Sequence, residues 1–121
     1  TSSLVGSEMC IRDSNVDYQK VERRMEYLYN IGEMAGSTFE DYIAHEIAHI
    51  LPFQNCITEE DYRNMREELR KTFVAGISGY SDRTCDGAES LAEAFVRYRN
   101  GERIPNEAKE LIKKYIYPWR K

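Results

Sequence analysis

The sequence predicts a mostly α-helical domain, on three observations. Apolar residues recur at three- and four-residue intervals in five separate segments. Most of those segments open on residue types that cap helix N-termini. After Asn15 there is no run of alternating apolar and polar residues bounded by turn formers, so no strand is predicted.

The first predicted helix runs from Tyr18 to Ile31. Val21, Met25, Leu28 and Tyr29 form its apolar face, Arg23 and Arg24 its solvated one, and Gly32 lies past its end. The second opens at Ser37 or Thr38, where Ser37-x-x-Glu40 matches a capping box. Phe39, Tyr42, Ile43, Ile47 and Ile50 make a stripe expected to face the core, with His45 and His49 beside it, and Pro52 stops the helix. A third begins at Thr58, with Glu59, Glu60 and Asp61 in a first turn that favours acids. It carries Tyr62, Met65, Leu69 and Phe73 as far as Gly76, and turn formers make 76–82 a loop. Asp86 or Gly87 caps a fourth helix that reaches Tyr98, with Leu91, Ala92 and Phe95 inward and Asn100-Gly101 at its end. Pro105 fits the first position of a closing helix. Ala108, Leu111, Ile112, Tyr115 and Ile116 line that helix, Pro118 stops it, and Tyr117 to Trp119 read as a packing tail.

At 121 residues the chain is expected to hold one domain at most. Its net charge of −4 and scattered Lys and Arg give no electrostatic footprint for nucleic acid. No apolar stretch approaches the ~20 residues of a membrane span, and no signal peptide opens the chain, so a cytoplasmic or virion-associated protein is expected. Three cysteines at irregular spacing form no disulfide framework; Cys56 and Cys85 are expected as buried or free thiols in a reducing compartment. Residues 1–14 have no helical or strand period, and Leu4 to Ser14 resembles one reading frame of a transposon-end sequencing adapter. They are expected to be a non-native or disordered tail, which leaves a domain at 15–121.

The chemistry concentrates in one place. The only two histidines stand in His45-Glu46-Ile47-Ala48-His49. Four residues apart on a helix, both imidazoles can point at one metal ion, and Glu46 beside them is placed to take a proton from a water activated there. Catalytic zinc takes three protein ligands and keeps one position open. With no third histidine, the last ligand must be Asp, Glu or Cys. Glu89 and Glu93 are the best candidates: they lie one turn apart on one helical face, so that one can reach the metal while the other orients a ligand imidazole. Ala92, being small, would let the two helices approach closely. Asp82 and Asp86 read as turn and cap residues.

His45-Glu46-x-x-His49 followed by Glu89-x-x-Ala92-Glu93-Ala94-Phe95 resembles the zincin-like metallopeptidases of the gluzincin type. The nearest patterns are the catalytic domain of anthrax lethal factor and the metallopeptidase-like domains attached to phage minor head proteins, and the resemblance spans 38–117. It implies Zn²⁺ as cofactor, with Glu89 as third ligand and Glu93 as supporting acid. Tyr80, in Ile77-Ser78-Gly79-Tyr80, looks similar to a tyrosine that precedes the third ligand in that pattern and can donate to an oxyanion. The spacing to Glu89 is about two residues longer here. The implied activity is zinc-dependent hydrolysis of peptide bonds in a peptide or protein substrate. Two alternatives come with the resemblance. One is a head-assembly module that binds phage structural proteins, its zinc closed by Cys56 or Cys85; the other is an effector domain of lethal-factor type. Zincins also place a sheet before the HExxH helix. Because no strand is predicted after Asn15, the expected architecture is an N-terminally truncated zincin-like core, with active-site helix and downstream ligand helix but without that sheet.

Overall fold

The computed structural model describes residues 17–117; segment 1–14, Pro118 and Trp119 lie outside the described residues. Helix α1 spans Tyr18–Asn30 and starts where the Asp17 carboxylate accepts from the Lys20 amide. α2 spans Phe39–Ile50 and passes into a 3-10 turn at Leu51–Phe53, with Pro52 in it. α3 is Glu59–Arg70, α4 Gly79–Thr84, α5 Gly87–Arg99 and α6 Asn106–Tyr115. No strand occurs among the described residues, so the chain is mostly α as expected. None of these helices is long and apolar enough to cross a membrane.

Several boundaries differ from expectation, and two open choices of cap are decided, for local chemical reasons. The cap of α2 is Thr38, not Ser37. Its hydroxyl accepts from the Asp41 amide at 3.1 Å, and the Asp41 carboxylate reaches back to the amides of Ser37 and Thr38. Glu40, the expected partner, stays exposed. α3 ends at Arg70, short of Phe73 and Gly76; the Thr72 hydroxyl donates to the Leu69 carbonyl at 2.7 Å just past its end. The predicted loop at 76–82 is half helix, because Ser78 and Ser81 form a capping box that starts α4. Asp86, not Gly87, caps α5, and Pro105 sits at the cap of α6 instead of inside its first turn.

The largest correction concerns which side of α2 is buried. Ile43, Ile47 and Ile50, expected in the core, are exposed, and Phe39 and Tyr42 are half-buried. The buried face carries Asp41, Ala44, His45, Glu46 and Ala48. α2 packs more extensively on α5 than on any other element. Ala48 shares a core cluster with Leu91 and Ala92, and Ala44 packs with Val96 and Ala35. Alanines on both helices permit a close approach, and the ionisable side chains beside them then meet across the seam. The rest of the core is built by Leu69, Val74 and Ile77 with Ile104, Ala108, Ile112 and Ile116 against α5.

Two residues set how α5 and α2 are seated. Gly87 opens α5 against the end of α3, where a β-carbon would overlap the Leu69 carbonyl and come within 2.9 Å of the Thr72 amide. Asp41 is nearly enclosed and accepts from the amides of Ser37 and Thr38 and from Asn100 Nδ2 at 3.0 Å, which ties α2 to the end of α5. Burial pushes its carboxyl up, but the Asn100 and backbone donors outweigh burial and hold it below the usual carboxylate range.

Replacing a helical glycine by alanine ordinarily favours the helix by about 1 kcal/mol. Gly87→Ala is expected to have the opposite sign and destabilise by ~1–3 kcal/mol through overpacking, read from the urea midpoint. A stabilised variant would refute this packing of α5 on α3. Because the Asp41 pKa is depressed in the fold, its contribution to stability is complete above its unfolded value of about 3.9 and is lost as pH falls through the folded one. Urea titrations from pH 7 to 2.5 should therefore show part of the acid loss of stability, and that part should vanish in Asp41→Asn.

Candidate metal centre

α2 and α5 together bring three ligand atoms to a point. His45 and His49 are four residues apart on α2, with rings 4.8 Å between centroids and nearly perpendicular. Their Nε2 atoms stand 3.1 Å apart. Glu89, in the first turn of α5, places Oε1 3.2 Å from each of them. The three atoms form an almost equilateral triangle. Ligands held at about 2.0–2.1 Å from a tetrahedral zinc are about 3.3–3.4 Å from one another, so the triangle fits one face of such a site. Among the described residues, His45, His49 and Glu89 are the group of this kind, and neither Cys56 nor Cys85 belongs to it. Cys56 is half-buried and Cys85 exposed, both as free thiols.

The protonation pattern strengthens the fit. Glu93, on the next turn of α5, is 1% exposed. Its Oε2 is 2.8 Å from His45 Nδ1, which leaves Nδ1 to carry the proton and donate. In neutral His45 the Nε2 atom would then offer a lone pair toward Glu89 and His49; with no cation there, a proton on Nε2 takes that place and is donated to Glu89. Three atoms rich in electron density therefore face one small space, which asks for a cation or a proton between them. Burial works against a charged His45, but the carboxylates of Glu89 and Glu93 outweigh it and raise the imidazole to about 9. Burial likewise pushes Glu89 up, and hydrogen bonds from His45 and His49 overcome it and hold the carboxyl well below its usual range.

Glu93 is held in its turn. Its Oε1 accepts from the Ala35 amide at 3.1 Å and from the Ser78 hydroxyl at 2.8 Å. A buried carboxylate thus finds donors from three segments: the loop after α1, α2, and the cap of α4.

Tyr80 and Glu46 border the same site. The Tyr80 ring meets His45 edge-on, with centroids 6.2 Å apart. The amides of Gly79 and Tyr80 pair with the carbonyls of Gly32 and Glu33 at 2.8 and 2.9 Å, which anchors α4 to the loop after α1. Burial, and then the negative charge and hydrogen bonding of Glu89, push the phenol up to about 12, so it stays protonated. Glu46 is buried on α2 and faces a cavity of about 210 Å³ that His45 and Tyr80 also line, with Met25, Leu28 and Met34 on its apolar side.

Every sequence-predicted site residue therefore lies in one place: His45, His49 and Glu89 at the triangle, Glu93 behind His45, Glu46 and Tyr80 beside it. Two contributors were not foreseen. Ser78 had a readable signal, the spacing Ser78-x-x-Ser81 that caps a helix. The Ala35 amide had none, because a backbone donor in a loop leaves no trace in residue type. Comparison with protein-family models, curated proteins and solved structures finds no match to this chain.

Ligand order can be tested by substitution. Loss of a partner behind a metal ligand costs roughly 10–100-fold in metal affinity. Glu93→Ala is expected inside that range and Glu89→Ala beyond it, with zinc dissociation constants measured by competition against a chromophoric chelator. Unchanged affinity in Glu89→Ala would move the third ligand elsewhere.

Proposed function

We propose that this protein is a zinc-dependent metallopeptidase of the zincin-like, gluzincin type. The observation that carries this reading is the 3.1–3.2 Å triangle of His45 Nε2, His49 Nε2 and Glu89 Oε1, with Glu46 in a cavity that His45 also lines. Zinc held by these three residues supplies Lewis acidity and brings the pKa of a water from 15.7 to about 7.

The remaining roles belong to the chain. Glu46 stands in the cavity beside His45 and is the general base: it takes the proton of the attacking water and passes it to the departing amine. Tyr80, kept protonated by its surroundings, donates a hydrogen bond to the carbonyl oxygen as negative charge grows there. Glu93 fixes the ring of His45 by accepting from Nδ1, so that Nε2 points to the centre. The cavity takes the substrate chain next to these groups, and its apolar side excludes water from the reacting bond.

A purely structural zinc is normally closed by a fourth protein ligand. A thiolate from Cys56 or Cys85 would have favoured the head-assembly reading, and the ligand group contains neither. A three-atom group with a carboxylic acid beside it favours hydrolysis. The reading is tested by Glu46→Gln. The variant should keep about one zinc per chain, and its kcat on an unstructured peptide substrate should fall by about 10²–10⁴-fold. A variant that turns over at the normal rate would remove Glu46 from the base role, and wild-type protein without zinc would remove the metal centre.

A further inference from the structure

We infer that Ser78 is a positioning residue that couples two halves of the site, the metal-ligand side through Glu93 and the phenol side through α4. The inference rests on reading His45, His49 and Glu89 as a metal centre.

Ser78 is buried, and its hydroxyl has two jobs. As N-cap of α4 it accepts from the Ser81 amide at 3.1 Å, which starts the helix that carries Tyr80 two residues later. As donor it faces two acceptors, Glu93 Oε1 at 2.8 Å and Ser81 Oγ at 3.2 Å. A hydroxyl has one proton, and a carboxylate oxygen is the stronger and here the nearer acceptor, so the proton goes to Glu93. Ser81 has its own outlet in the Ser78 carbonyl, at 3.2 Å.

The consequence runs in both directions. Glu93 Oε1 has two donors, the Ser78 hydroxyl and the Ala35 amide, while Oε2 is left for His45 Nδ1. With both donors in place the carboxylate plane is fixed, and so is the imidazole that it orients. Remove the hydroxyl, and the buried Oε1 loses its nearest donor. The carboxylate can then rotate toward the Ala35 amide and carry His45 Nε2 off the triangle. The same loss uncaps α4 and loosens the placement of Tyr80. A single small side chain thus sets the distance between the ligand cluster and the phenol.

The two roles are separable by experiment. Ser81 belongs to the same capping box, since its hydroxyl stands 3.3 Å from the Ser78 amide, but it does not reach Glu93. Zinc dissociation constants of the full chain are measured by chelator competition for wild type, Ser78→Ala, Ser78→Thr and Ser81→Ala, with thermal midpoints alongside. The expected result is an increase of about tenfold for Ser78→Ala, the low end of what an outer partner costs. Ser78→Thr, which keeps the hydroxyl, restores the wild-type constant. Ser81→Ala lowers the thermal midpoint and leaves zinc affinity within about twofold. Wild-type zinc affinity in Ser78→Ala overturns the inference while leaving the metal centre standing. An equal loss in Ser81→Ala also overturns it, since helix α4 and not the Ser78 donor would then be responsible. Wild-type protein that takes up no zinc overturns the metal centre and this inference together.

Discussion

The arrangement depends on a carboxylate that has no business in a protein core unless it is fully engaged. Glu93 is enclosed on the α5 face that meets α2. An ionised carboxylate without partners would cost several kcal/mol there. Three donors remove that cost: His45 Nδ1, the Ser78 hydroxyl and the Ala35 amide. They come from α2, from the start of α4 and from the loop behind α1, so meeting the needs of one group fixes three segments around α5. Glu89, one turn earlier, is carried to the two imidazoles by the same helical geometry. The seating of α5 by Gly87 and of α2 by Asp41 serves this one convergence from either end.

That constraint explains why α2 turns its most apolar side outward. Counting hydrophobic residues at helical spacing selects Ile43, Ile47 and Ile50, and each is exposed. The buried side is chemically mixed: two alanines, a histidine and two acids. Hydrophobic periodicity assumes that the largest apolar surface decides burial. Here small residues decide it, because Ala48 and Ala92 allow backbones to come close enough for His45 to reach Glu93. Buried hydrogen bonds to charged groups are worth more than a half-buried isoleucine contact, and they tolerate no change of register. The stripe was read correctly as a stripe and assigned to the wrong side.

Much of the architecture was legible because helix ends are written in local chemistry. Thr58 and the Asn100-Gly101 stop act within one turn of themselves, so residue type and spacing suffice. The site was legible for a related reason. HExxH and the pair Glu89 and Glu93 each lie on a single helical face, so their members were already coplanar in sequence. What sequence did not yield was the identity of caps when two candidates stand side by side, as with Ser37 against Thr38 or Asp86 against Gly87. The decision there turns on which side chain reaches back, which is a matter of backbone path. α4 was hidden because its six residues are too few to show a period, and because serine and glycine favour both loops and caps.

The triangle is a group of ligand atoms that could hold a metal ion, and the charge around it says what such an ion would answer. Glu89 and Glu93 bring two carboxylates to two imidazoles at 2.8–3.2 Å within a partly enclosed volume. With neutral imidazoles the carboxylate of Glu89 would face two lone pairs with no positive charge between them. In a setting less polar than water, uncompensated like charges a few ångströms apart repel by several kcal/mol. Burial opposes charge on His45 and on Glu89, but their mutual hydrogen bonding, with Glu93 behind the ring, raises the imidazole and lowers the carboxyl. A proton answers this locally, between two atoms at a time. A dication would answer it for all three ligand atoms at once.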